Sequence, residues 1–126
     1  MTHAAWLARR VPLAPEGLQL HLQRLLGDHP EWGALALPDA MVAASQLLLA
    51  RVLAADSSSR QSATDLLAAD ACVTYAFEAA AEDPRSIAAL AERAMQRIGA
   101  LASAVQPVVD AARARGAGRR LPGARE

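Results

Sequence analysis

Aromatic residues are scarce in this chain of 126 residues, at only 3% of the sequence. The β-branched residues that favour strands are also sparse. The hydrophobic share is nevertheless 53%, and alanine supplies much of it. A core of leucine, valine, isoleucine and alanine suits closely spaced helices, because alanine is the best helix former. The composition therefore predicts one all-α domain of ordinary size.

Lysine and asparagine are absent, and 13 basic residues, all of them arginine, balance 13 acidic residues. A formal net charge of zero produces no overall field that attracts nucleic acid or a membrane surface. We attribute the arginine bias to GC-rich coding rather than to arginine chemistry. Long uncharged runs are lacking as well, since those at 40–50 and 98–109 are too short to cross a bilayer. We therefore expect no membrane association.

Cysteine occurs once, at Cys72, which excludes an internal disulfide and fits a reducing compartment. No histidine lies next to it in sequence, so a packed free thiol is a better interpretation than a nucleophile. Arg9 and Arg10 follow the short N-terminal apolar stretch instead of preceding it, unlike the charges of a signal peptide. We expect a cytoplasmic location.

Apolar residues recur every three or four positions in four segments, which predicts helices over 15–26, 38–55, 60–82 and 84–112. Pro15, Pro38 and Pro84 each suit the first turn of a helix. Short connections between the segments predict a small antiparallel bundle of about four helices over residues 15–112. Residues 1–14 are expected to form an irregular or short helical arm. Glycine and five arginines predict a flexible tail over 113–126.

The fourth predicted helix is the longest, and it carries the clearest pattern in the sequence. Its apolar residues follow an unbroken 4-3-4-3 spacing, typical of a bundle or coiled-coil seam. They are Ile87, Ala91, Ala94, Ile98, Leu101, Val105, Val108 and Ala112. Pro107 falls inside this pattern, so we expect a kink or a restarted helix there. Gly99 is unfavourable in a helix interior, which suggests the close approach of another helix.

Asp70 is the candidate functional residue of the third predicted helix. Helical projection places it beside Leu66, Val73 and Phe77, on the face that should be buried. A carboxylate there needs a hydrogen bond, an ion pair or a neutral protonated form. A ligand site formed with Thr74 and Phe77 is one interpretation. The more economical interpretation is an ion pair with an arginine of another helix, for which Arg51 and Arg97 are candidates.

Motifs for metals and phosphates are lacking. No histidine lies three or four residues from another histidine or from the cysteine, so the spacing of a metal site is absent. The seven glycines form neither a P-loop nor a dinucleotide-binding turn. We expect no metal, no cofactor and no catalytic residue.

The C-terminal arginines could pair with phosphates, because guanidinium groups bind them in bidentate fashion. The candidates are Arg113, Arg115, Arg119 and Arg120. No aromatic side chain interleaves with them to stack on bases. A solvated tail is therefore the preferred interpretation, and nucleic-acid binding is not expected.

These patterns predict a non-enzymatic helical interaction or assembly protein, self-associating as a homodimer or serving as a small subunit of a bacterial complex. The fourth predicted helix is too long for one small bundle to cover, so its apolar residues need a partner. The predicted interface comprises Ile98, Leu101, Val105 and Val108. The alternative is a bundle that holds a small apolar ligand or cofactor in its interior near Asp70.

Overall fold

The computed structural model describes residues 2–10, 15–55 and 58–118, and every regular element in this part of the chain is helical. The five α-helices are α1 (His3–Arg10), α2 (Glu16–Asp28), α3 (Leu37–Ala54), α4 (Arg60–Ala80) and α5 (Pro84–Gly118). A short 3-10 helix, Pro30–Ala34, connects α2 to α3. The all-α prediction is confirmed. Four of the five helices lie within a few residues of the predicted spans, apart from the C-terminal extension of α5.

Of the two forms expected for the N-terminal arm, residues 3–10 take the short helical one, and residues 11–14 lie outside the described part. Two residues of α1, Trp6 and Leu7, are buried in the core. The Trp6 ring meets the Tyr75 ring of α4 edge-on, with centroids 6.2 Å apart and planes at 72°. Packing of these two side chains supplies the stability that eight residues lack as an isolated helix.

The centre of the core is the contact between α3 and α4. Small residues line it: Ala40, Ala43, Ala44, Ala68, Ala69 and Ala76 are all buried. Their size lets the two helices approach closely enough for the Ser45 hydroxyl of α3 to donate to the Ala69 carbonyl of α4, at 3.1 Å.

Helix α3 alone, among the described residues, is long and apolar enough to cross a membrane by length and composition. A helix buried in the core of a folded domain meets the same two criteria.

The buried face of α4 differs from the predicted one. The structure buries Ser62, Asp65, Ala68, Ala69, Cys72, Tyr75, Ala76 and Ala80. Leu66, expected inside, is 52% exposed, whereas Tyr75 on another side of the helix is 8% exposed. Val73 and Phe77, also expected inside, are half-buried. The prediction chose the bulkiest stripe, but the small residues make the contact.

Helix starts follow local sequence signals. Ser59 caps α4, because its hydroxyl oxygen accepts a hydrogen bond from the Ser62 amide at 3.0 Å. Before α5, a carboxylate oxygen of Asp83 accepts a hydrogen bond from the Arg85 amide at 3.1 Å and so caps the helix whose first turn holds Pro84.

Helix α5 runs as one element through Pro107 and continues to Gly118, six residues beyond the predicted end. Residues 113–118 therefore belong to a helix where a flexible tail was predicted; residues 119–126 lie outside the described part. Leu90 is fully buried and Ala94 almost fully, whereas no described side chain of α5 after Ala94 is buried. At 1.5 Å per residue, α5 extends about 52 Å and the 18-residue α3 about 27 Å. Helix α3 cannot cover α5 along its length.

Candidate functional site

Asp70, the predicted ligand-binding carboxylate, is exposed to solvent. It lies at the side of an open surface groove with Leu49, Leu66, Ala69 and Val73. Thr74 is also exposed, and its hydroxyl donates to the Asp70 main-chain carbonyl of the same helix at 3.1 Å. Phe77 is half-buried against the core. The expectation of a buried Asp70 is wrong, and with it the reason for placing a ligand inside the core at this residue.

The buried carboxylate of α4 is Asp65, five residues earlier. Its side chain is only 5% exposed. One oxygen, Oδ1, accepts hydrogen bonds from Nε2 of His21 and from Nε2 of Gln61, each at 3.1 Å. His21 belongs to α2, 44 positions away in sequence, and its side chain is 23% exposed. This Asp65–His21–Gln61 cluster was missed because no local spacing links its two main partners.

A carboxylate that orients a histidine is half of the arrangement found in general bases. The second half is a reacting hydroxyl or thiol within hydrogen-bond reach of the free ring nitrogen. Within the described residues, the polar contact of the His21 ring is with Asp65. The geometry therefore supports a structural role for the cluster, which fastens α2 to α4.

The other two histidines lie near the 3-10 helix. Nε2 of His3 is 3.1 Å from the carbonyl oxygens of both Trp32 and Leu35, so its N–H is shared between them. The His29 ring stacks on Trp32 with centroids 4.3 Å apart. Nδ1 of His29 lies 2.9 Å from a Glu31 carboxylate oxygen, and this hydrogen bond lowers the pKa of Glu31.

The described residues contain no group of three His, Cys, Asp or Glu side chains that could hold a metal ion.

Cys72 is buried with 1% of its surface exposed. Burial raises the pKa of its thiol to about 12, because an apolar environment disfavours the thiolate. A thiol that stays protonated at neutral pH is a poor nucleophile. The structure places it among packed residues of the core, as the packed-thiol interpretation requires.

The remaining candidate surface lies on the C-terminal half of α5. We use the term α5 seam for Leu101, Val105, Val108 and Ala112, the part of the 4-3-4-3 pattern that follows Ile98. Ile98 and Leu101 are half-buried and Ala112 is exposed, while the side chains of Val105 and Val108 lie outside the described part. The opposite side of the helix carries polar Ser103, Gln106 and Asp110, with Gln106 donating to Asp110 at 2.8 Å.

Two observations separate this half of α5 from the half that packs in the core. Residues 98–109 contain no charged side chain, yet most of their described side chains are exposed. The bonds that fasten α5 to α3 lie earlier: Arg93 to Asp39, with Nε 2.7 Å from Oδ1, and Arg97 to Gln46 at 3.3 Å. After Arg97, no described side chain of α5 forms a hydrogen bond or an ion pair with another helix.

Of the arginines considered for phosphate binding, Arg113 and Arg115 are exposed on the last turns of α5. Arg119 and Arg120 lie outside the described residues. Among the described residues, no aromatic side chain that could stack on a base lies against Arg113 or Arg115.

No protein-family model, curated protein or solved structure significantly matches this chain.

Proposed function

We propose that this chain is a non-enzymatic interaction protein that associates with itself through the α5 seam. The finer architecture we propose is a small bundle in which α4 runs antiparallel to both α3 and α5. The bonds from Arg93 and Arg97 support the parallel course of α3 and α5 that this arrangement requires, because successive positions of α5 bond to successive positions of α3, Asp39 and then Gln46. A cytoplasmic location and a place in a bacterial assembly stay predictions.

The observation that carries the proposal is the uncharged stretch of α5 after Ile98, in which most of the described side chains are exposed. An exposed helix normally shows charged residues on its outer side and buries its apolar stripe. Here the apolar stripe continues for about two heptads beyond the last buried residue, Ala94. Sustained heptad spacing is the pattern of a helix that packs on another helix. A protein partner accounts for it more directly than a small molecule does, because the stripe is extended and no cavity encloses it in the described part.

Sedimentation or light scattering across a wide concentration range tests the proposal. We expect a reversible dimer for the wild-type chain. Ala112→Glu should weaken the dimer by more than about tenfold, because it buries a charge in the seam of both copies. Ala112 is exposed within one chain, so the substitution should leave the fold intact.

Ala114→Glu is the matched control. Ala114 is also exposed on α5 but projects away from the seam, two residues further along the helix. It should associate as the wild-type chain does. A wild-type chain that stays monomeric at high concentration, or equal weakening by both substitutions, would contradict association through the seam.

A further inference from the structure

A small open cleft lies between the first turn of α1, the end of α2 and the 3-10 helix. Its volume is about 200 Å³, which suits one ring system rather than a peptide. The described residues that line it include no aspartate, glutamate or arginine. A charged guest would lose water there without gaining an ion pair, so the cleft favours a small neutral molecule.

Two aromatic rings lie along the side of the cleft that the 3-10 helix forms. The His29 ring stacks on Trp32, with centroids 4.3 Å apart and planes at 15°. A Glu31 carboxylate oxygen 2.9 Å from Nδ1 of His29 fixes the orientation of the imidazole. The N–H of His3 ties α1 to the Trp32 carbonyl at 3.1 Å. Rings that are already held in place lose little freedom on binding, and they favour a flat guest.

Gln23 supplies a free hydrogen-bonding edge in this lining. Thr2, His3 and His29 each form a hydrogen bond within the chain. The amide of Gln23 is half-buried and forms no hydrogen bond with the part of the chain that the structure describes. A glutamine amide presents a donor beside an acceptor, the pair that matches N7 and the exocyclic amino group of adenine.

We propose that this cleft binds a neutral adenine-type base, which lies against the two rings and is recognised by Gln23. The exocyclic amino group donates to Oε1 of Gln23, and Nε2 of Gln23 donates to N7 of the base. A free base or nucleoside fits better than a nucleotide, because the described lining holds no arginine to receive a phosphate. The cleft shares no residue with the α5 seam, so the inference is independent of the proposed self-association.

Two glycines leave space in the cleft that a side chain would occupy. Gly27 and Gly33 both line it, and an added Cβ at either position would meet nothing within 4 Å. Neither glycine has a positive φ, so a larger residue does not strain the backbone. Gly27→Leu therefore fills the cleft from the end of α2. Gly17→Leu is its matched control, because Gly17 belongs to the same helix, is equally unobstructed and lies outside the cleft.

Titration of the wild-type chain with adenosine tests the proposal, with the indole N–H signals of the two tryptophans followed by NMR and the affinity measured by calorimetry. The Trp32 signal should shift in a saturable way, and the signal of Trp6, which is buried in the core, should move less. The analogue 7-deazaadenosine lacks the N7 acceptor. It should bind at least about tenfold more weakly, as expected for the loss of one hydrogen bond.

Substitutions then locate the site. Gln23→Leu should weaken adenosine binding at least about tenfold and remove the preference over the 7-deaza analogue. Gln19→Leu is the control, since Gln19 is also half-buried on α2 but lies outside the cleft. Gly27→Leu should abolish binding, whereas Gly17→Leu should bind as the wild-type chain does. Circular dichroism checks that each variant keeps its helical content.

The absence of a saturable shift at millimolar adenosine would overturn the site. Equal affinities for adenosine and the 7-deaza analogue would overturn the assignment of an adenine-type base, and this comparison uses the wild-type chain, so it does not depend on the folding of a variant. Equal losses from Gln23→Leu and Gln19→Leu, or from the two glycine substitutions, would place any binding elsewhere on the chain and contradict the proposal.

Discussion

Replacing Asp65 with alanine tests whether the Asp65–His21–Gln61 cluster fastens α2 to α4. The substitution removes a side chain that is 5% exposed and that accepts two hydrogen bonds at 3.1 Å. Asp70→Ala is the matched control, because Asp70 lies on the same helix and is exposed. The two variants lose the same atoms from the same secondary structure and differ in burial and partners.

The expected magnitude follows from the two bonds. A hydrogen bond to a charged group contributes about 1.5–3 kcal/mol when both partners are buried. Gln61 is exposed and the His21 side chain is 23% exposed, so both donors regain water after the substitution and the loss is smaller. We expect Asp65→Ala to lower the free energy of unfolding by about 2 kcal/mol. Asp70→Ala should change it by less than about 0.5 kcal/mol, as a surface substitution does.

Urea unfolding followed by tryptophan fluorescence measures both values. The dependence on urea should keep its slope, so that the shift in midpoint reports stability. A double-mutant cycle with His21→Ala then isolates the pair, and a coupling of at least about 1 kcal/mol is expected. Equal losses for the two aspartate variants, or a coupling near zero, would refute the reasoning from burial and distance.

Two further predictions concern single positions. Because burial raises the pKa of the Cys72 thiol to about 12, about one molecule in ten thousand should be ionised at pH 8. A thiol reagent should therefore modify Cys72 only after the chain unfolds, and rapid reaction of the native chain would contradict this. Gly99→Ala should raise the free energy of unfolding by about 0.5–1 kcal/mol, because an added Cβ meets nothing within 4 Å and alanine is the better helix former. A loss of stability would show that another helix contacts this face, as the sequence suggested.

Local signals account for most of what the sequence predicted correctly. Proline in the first turn of a helix predicted the beginning of α5 at Pro84, where the structure has it. Apolar residues recurring over 38–55 indicated a helix there, and α3 buries Met41, Val42 and Leu48 among them. These features depend on backbone sterics and on neighbours three or four residues away, which a single sequence contains.

The face of α4 and its buried carboxylate depend on distant neighbours instead. An alanine-lined contact between two helices gains stability from close approach, so leucine can remain at the edge, as Leu66 and Leu67 do. Hydrophobic periodicity weighs leucine above alanine and therefore selected the wrong side of the helix. Asp65 is tolerated inside because His21 reaches it from α2, and nothing near either residue in the sequence shows that contact.

The C-terminal half of α5 links stability to association. Pro107 costs a helix interior about 3 kcal/mol and Gly99 about 1 kcal/mol relative to alanine, and short helices without packing are marginal in water. Within one chain, no described side chain of α5 after Ala94 is buried, so packing offsets little of this cost. Pairing with a second copy would offset it. The helical signal per residue in circular dichroism should therefore rise with protein concentration in step with dimer formation, and Ala112→Glu should abolish the rise. The chain could instead dimerise while its helical signal per residue stays independent of concentration. That result would show that α5 is fully helical within one chain and that dimerisation does not stabilise it.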